Sequence, residues 1–238
     1  MKLYSFLFLL FIGFANCQVI SNVRLVDHIS YVIDYITRTV QTVEERGWYN
    51  LKLYDYVIEV NQTVNNLDVI GKVQYRNGFV TSIQRVDIQQ STVQQVWGFN
   101  STAKKTTVSV RGTLRLHDVA VGYDVTTDIG DGEEDEVSHY TMEFVHPLIT
   151  YAFSVIKDVN TDEIEVTVVA NVPRVTNRQG EFRPRDSTTD ILTSMFDPNV
   201  GIPAGMVGWA DKVFQPIAYD LVTKEIQFPR ICYDCATS

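Results

Sequence analysis

Two hydrophobic rhythms divide this chain. Between residues 22 and 46, Val26, Ile29, Ile33, Ile36, Val40 and Val43 recur at alternating spacings of three and four, while Asp27, Asp34, Arg38, Glu44 and Glu45 fall largely off that stripe. This is the signature of one amphipathic helix with a single apolar face. Ser21 or Asn22 can cap its start, and Gly47 stands where a left-handed stop is wanted. After Trp48 the period drops to two. Val69 to Arg76 and Phe79 to Asp87 flank Asn77-Gly78, which predicts two strands joined by a tight hairpin. From Thr106, Val108, Val110, Gly112, Leu114 and Leu116 share one phase, and Val119, Val121, Tyr123 and Val125 continue in the other. The slip at His117-Asp118 predicts a β-bulge or sharp bend. Further strands are expected at 137–145 and 148–156, on either side of His146-Pro147, and at 164–172.

The last third is broken more often. Residues 173–185 are polar, basic and turn-rich and read as a loop. A short helix over 187–196 should stop at Asp197-Pro198, and Gly and Pro interrupt 199–205 as a connection. A closing helix is expected over 206–226, with Ala210, Val213, Phe214, Ile217 and Leu221 on one face and a kink at Pro216. Helix, many antiparallel strands, helix: the order predicts an α+β fold. With no repeat and no low-complexity linker, 18–238 reads as one domain.

The first seventeen residues stand apart. Lys2 is followed by an apolar run, Leu3 to Phe14, too short to span a bilayer, and then by Ala15-Asn16-Cys17 with small residues where a signal peptidase reads. The segment 1–17 is expected to be a cleaved signal peptide, making the mature protein secreted and extracellular. Asn61-Gln62-Thr63 and Asn100-Ser101-Thr102 are then candidate glycosylation sites at Asn61 and Asn100. No later segment reaches membrane-spanning length, so integral membrane association is not expected.

Charge and cysteines narrow the partners. Twenty basic against 29 acidic residues give a net charge of −9, and loss of Lys2 takes the mature chain to about −10, which repels nucleic acid and anionic lipid headgroups. With Cys17 removed, Cys232 and Cys235 remain, and in an oxidising compartment they are expected to bond to each other and pin the tail. The acidic, glycine-bearing stretch from Asp128 to Glu136 misses the spacing of a calcium loop and reads as a solvated hairpin tip.

Candidate chemistry is sparse. The chain has no Gly-x-Ser-x-Gly elbow, no His-Glu-x-x-His helix, no phosphate-cradling glycine loop and no dinucleotide fingerprint. His28, His117, His139 and His146 lie singly, and none has the spacing of a helical metal site. His117 and His146 read as bend residues. No catalytic residue, metal or cofactor is therefore expected.

Several stretches resemble the mite group-seven allergen family of the tubular lipid-binding (TULIP) superfamily, which also includes bactericidal permeability-increasing protein and the takeout and juvenile-hormone-binding proteins. They are the helix from Val26 to Val43, Asp68-Val69 through Tyr75-Arg76-Asn77-Gly78-Phe79-Val80, and Ser82-Ile83-Gln84-Arg85-Val86. Gly112-Thr113-Leu114-Arg115-Leu116-His117-Asp118-Val119-Ala120-Val121-Gly122-Tyr123-Asp124 and the closing amphipathic helix complete the likeness. The N-terminal disulfide usual in the takeout branch is missing. The resemblance implies a long N-terminal helix wrapped by a strongly curved antiparallel sheet, with a C-terminal helix and an apolar interior open to a lipid or terpenoid-like ligand. The function so implied is that of a secreted, non-catalytic binder or carrier of a hydrophobic small molecule or lipid. Taking the inward phase of each element, the expected lining is Ile29, Ile33, Ile36 and Val40 of the first helix, Val110, Leu114 and Leu116 of a strand, and Val213, Phe214, Ile217 and Leu221 of the last helix. The alternative is a secreted protein-interaction module with a filled core, acting through the acidic loop.

Overall fold

The computed structural model describes residues 23–47, 51–64, 67–130, 137–176 and 179–233. The predicted leader, Cys17, Cys235 and most of the acidic loop lie outside these residues. The elements in chain order are β1 (Arg24–Leu25), α1 (His28–Glu45), β2 (Tyr56–Val64), β3 (Leu67–Ile88), β4 (Gln94–Asn100), β5 (Lys105–Gly130), β6 (Val137–Asp158), β7 (Ile164–Asn171), β8 (Glu181–Arg183), α2 (Ser187–Met195), α3 (Pro198–Trp209), α4 (Gln215–Lys224) and β9 (Ile231–Cys232). The architecture is α+β: a large antiparallel sheet ordered β2-β3-β5-β6-β7, with β4 on β5 and β8 on β6, accompanied by a few helices.

The first helix is shorter than its hydrophobic stripe. It spans 18 residues from His28, because Arg24 and Leu25 pair with Cys232 and Ile231 in a separate two-stranded sheet. Asp27, in the left-handed region at φ 54°, turns the chain from that strand into the helix. The buried face is also rotated from the predicted stripe. Tyr31, Val32, Tyr35, Ile36, Thr39 and Val43 are buried, whereas Ile33 and Val40 are half-buried and Ile29 is 52% exposed. Tyrosines and Thr39 took positions that a count of aliphatic residues passes over.

The predicted hairpin at Asn77-Gly78 does not form. β3 runs straight through, and the pair makes a bulge at which the register against β5 shifts between Arg76 and Phe79. Asn77 takes the left-handed conformation a turn would need, at φ 52°. Its backbone N–H donates to Asp55 Oδ1 at 3.0 Å and its side-chain amide donates to Asp124 Oδ2 at 2.9 Å. Gly78 lies flat on the ring of Tyr123, where a Cβ would come within 2.2 Å of Cε1. Tertiary partners therefore turn a local reversal signal into a bend within one strand.

The phase slip at His117-Asp118 is a bulge. Asp118 has φ 49° and drops out of register, so that His117 faces Leu148 and Val119 faces His146. Pro147 falls at the matching gap in β6, where its missing N–H breaks no ladder bond. This is why 137–145 and 148–156 are one strand and not two.

The helical tail also differs from expectation. Residues 199–205 are not a broken connection but the body of α3. Pro198 occupies its first turn, where a fixed φ and an absent N–H are no handicap, and Asp197 accepts from Asn199 N–H at 3.0 Å. Gly201 and Gly205 let the helix approach Tyr56, Tyr123 and Leu53 closely. One π-turn, 210–214, joins α3 to α4, with Gln215 N–H bonded to Ala210 O. The extra residue in that turn accommodates Pro216, so the segment shows a π-bulge at the expected kink.

The core is one aromatic-rich cluster. Tyr35 contacts Phe153 with ring centroids 5.9 Å apart, Phe153 contacts Phe214 at 5.9 Å, and Phe214 contacts Tyr151 at 4.6 Å. These rings occupy the space where α1, β6 and the π-turn meet.

Candidate functional site

Between α1 and the β3–β5 ladder lies an open apolar cleft of about 370 Å³. One wall is the exposed flank of α1, with Ile33 and Val40 separated by two helical turns and Thr37 and Gln41 beside them. The other wall is the inward face of the strands. Val86 and Ile88 of β3 stand opposite Leu116 and Leu114 of β5, and Leu114 closes the floor. Asp87 and Gln90 complete the rim.

The topology explains the opening. β2 pairs with β3 only over Leu67 to Tyr75, so the later part of β3 has no further strand beside it among the described residues. The apolar flank of α1 and this strand edge then form a trough that neither element covers. Its volume falls within the range of small-molecule sites, roughly 300–1,000 Å³, and its lining of branched aliphatics with a few polar groups fits an apolar guest.

The eleven expected lining residues separate into groups. Ile33, Val40 and Leu114 line this cleft. Ile36, Val110, Leu116, Phe214, Ile217 and Leu221 are buried in the packed core. Val213 lines a different depression, of about 600 Å³, between Leu51 to Asp55 and α3. Ile29 is on the surface, one helical turn beyond Ile33 along the same stripe. Sequence reasoning missed Val86, Asp87, Ile88, Thr37, Gln41 and Gln90. The Val86-Asp87-Ile88 alternation carried the signal for two of them, but nothing in it showed that β2 would end early and leave this edge open.

Charge is concentrated around Asp87, where the rim of the cleft passes between Val86 and Ile88. Asp87 accepts from Arg115 Nε at 2.6 Å, stands 3.2 Å from His117 Nε2 and lies 3.5 Å from Arg85 Nε. The hydrogen bond from Arg115, together with the charge of its neighbours, holds the Asp87 carboxyl below the usual carboxylate range. Deeper in the fold, burial pushes the Tyr31 and Tyr35 phenols up, and neither hydroxyl has a hydrogen-bond partner among the described residues. His146 is buried, its Nε2 lies 3.1 Å from the Pro173 carbonyl, and burial holds its pKa below the ordinary imidazole value.

Other depressions are lined differently. One of about 780 Å³ beside β8 and α2 carries Glu143, Glu181, Arg185 and Asp190, and one of about 810 Å³ near the Asn77 bulge carries Arg76, Asp124, His139 and Arg183. Several charged side chains in each, against Asp87 alone in the apolar cleft, disfavour an apolar guest. Among the described residues no cluster of three or more His, Cys, Asp or Glu is placed to hold a metal, and no helix is long and apolar enough to cross a membrane. The candidate glycosylation residues Asn61 on β2 and Asn100 at the end of β4 are both exposed. Cys232 is disulfide-bonded, while its expected partner Cys235 lies outside the described residues.

No family of known proteins matches the sequence, and no curated protein does. Among solved structures, the fold is similar to one described as the crystal structure of lipopolysaccharide binding protein, with a TM-score of 0.41 and 7% identity. The match covers 85% of this chain and 40% of that one, so this chain spans well under half of that protein's length. A likeness at this level says nothing about what this chain binds.

Proposed function

We propose that this chain is exported after loss of residues 1–17 and that the mature protein binds a hydrophobic small molecule or lipid without transforming it. The observation that carries the reading is the cleft between α1 and β3–β5, with Ile33, Val40, Val86, Ile88 and Leu114 facing one another across an opening. An apolar guest there would cover aliphatic surface now in contact with water, a gain of about 25 cal/mol per Å² before the cost of immobilisation. A helix beside a bent antiparallel sheet is also what a tubular lipid-binding architecture requires. In this reading the guest lies along the flank of α1, because Tyr35, Phe153 and Phe214 already occupy the space beneath it.

The test is fluorescence titration with the neutral probe N-phenyl-1-naphthylamine on the wild type and on Val40→Trp. The indole would fill the trough from a half-buried helical position, so probe affinity should fall about tenfold or more while the fold is retained. Equal binding by both proteins would remove the cleft as the site. A wild type that binds no apolar probe would defeat the function itself.

A second reading, a protein-interaction module, is favoured by the same filled core. On that reading the acidic stretch from Asp128 to Glu136 meets the partner, and replacing its carboxylates by amides would abolish capture while leaving the probe titration unchanged.

A further inference from the structure

If the cleft binds an apolar guest, as proposed for it, then its rim must meet the head group of that guest. Thr37, Gln41 and Gln90 are the uncharged polar side chains there, all exposed. Basic groups nearby are already engaged. Arg115 and Arg85 are drawn to Asp87, and Arg38 is ion-paired with Glu225. Asp34 and Glu45 stand about one turn to either side of Thr37 and Gln41 on the exposed flank of α1, and Asp87 is the one charged side chain among the described residues that line the cleft. A carboxylate or phosphate brought to this rim would lose hydration and meet like charge, and no Lys or Arg is among the described residues that line the cleft to offset either. A hydroxyl, ester or amide would meet amide and hydroxyl partners capable of both donating and accepting.

We propose that the cleft selects a single-chain amphiphile with an uncharged hydrogen-bonding head, such as a long-chain alcohol or acylglycerol, and discriminates against the free fatty acid of the same chain. This selectivity rests on the binding function proposed for the cleft. The alkyl chain lies along Ile33, Val40, Val86 and Leu114, and the head stays at the Gln41 and Gln90 rim.

The experiment displaces bound N-phenyl-1-naphthylamine with dodecanol, dodecanoate and dodecylammonium, each kept monomeric, at about pH 8, where the acid is ionised and the amine protonated. Dodecanol should displace the probe at a concentration about tenfold lower than dodecanoate. Gln41→Lys should erase or reverse that preference by supplying a cation at the rim, each displacement being read as the ratio of dodecanol to dodecanoate within one protein so that a change in probe affinity cancels. If dodecanoate competes as well as dodecanol on the wild type, the head-group selection is wrong although the binding function stands. Tighter binding of dodecylammonium than of dodecanol would also overturn it, by assigning the rim to Asp34 and Glu45. A wild type that takes up no probe would overturn both proposals together.

Discussion

Gly112→Ala should destabilise the fold out of proportion to one methyl group. Gly112 is the point on β5 against which α1 lies. A Cβ there would sit 2.5 Å from Val32 Cγ1, 3.1 Å from Ile36 Cδ1 and 3.7 Å from Val93 Cγ2. Ordinary carbon contacts are about 3.5–4.0 Å, so Val32 or the helix must move by roughly 1 Å. Val32 is fully buried and, being β-branched, has one strongly favoured rotamer in a helix, so it cannot swing aside. Overpacking of this kind costs about 1–3 kcal/mol. Near the unfolding midpoint of a chain this long, 1 kcal/mol lowers Tm by roughly 2–4 °C, so a loss of about 4–8 °C is expected for the middle of that range. Chemical denaturation of Gly112→Ala, Val32→Ala and the double variant gives the coupling. Val32→Ala alone should destabilise through lost packing, and the double variant should be more stable than the sum of the two losses implies by about 1 kcal/mol or more. A Gly112→Ala protein within about 0.5 kcal/mol of wild type, or strict additivity in the cycle, would mean that α1 does not lie on β5 at this point.

A buried imidazole and the N-terminal segment carry two other expectations. Because burial lowers the folded pKa of His146, the unfolded chain takes up that proton first, and stability is complete above the unfolded imidazole value of about 6.5 and declines as pH falls through it towards the lower folded value. Thermal unfolding between about pH 7.5 and 5.5 should show this decline, and His146→Gln should flatten it; an unchanged slope would assign the effect elsewhere. Protein recovered from the medium of a secreting host should begin at Gln18 by N-terminal sequencing and lose mass on deglycosylation at Asn61 and Asn100. An N-terminus at Met1, with no glycan at either site, would refute export.

Periodicity recovered the elements where one rule governs and failed where two compete. The alternation through Val108, Leu114, Val121 and Val125 marks β5 with its break, because side chains along a strand leave no freedom in phase except at a bulge. Asn77-Gly78 misled because a left-handed pair is compatible with both a two-residue turn and a bulge. Only Asp55, Asp124 and Tyr123, distant in sequence, select the bulge. Pro198 misled for a related reason: proline ends a helix from within but begins one from its first turn. For the site, the apolar residues of α1 could be named but not sorted. Ile36 and Ile33 are alike in sequence, and what separates core from cleft is that Tyr31 and Tyr35 draw the helix round to bury their own side.

That rotation of α1 also relates the filled core to the open cleft. Two large tyrosines one turn apart commit one side of the helix to the interior, with Tyr31 against Phe228 and Tyr35 against Phe153. Once that side is fixed, the 100° step of an α-helix carries Ile33 and Val40 to its flank. There they face the part of β3 that β2 does not reach. Had the aliphatic stripe faced the sheet centrally, Ile29, Ile33, Ile36 and Val40 would all be core and the trough would close. Half-buried isoleucine and valine beside an open strand edge are thus the consequence of aromatic packing elsewhere, and the same arrangement that fills the interior leaves a trough at the flank.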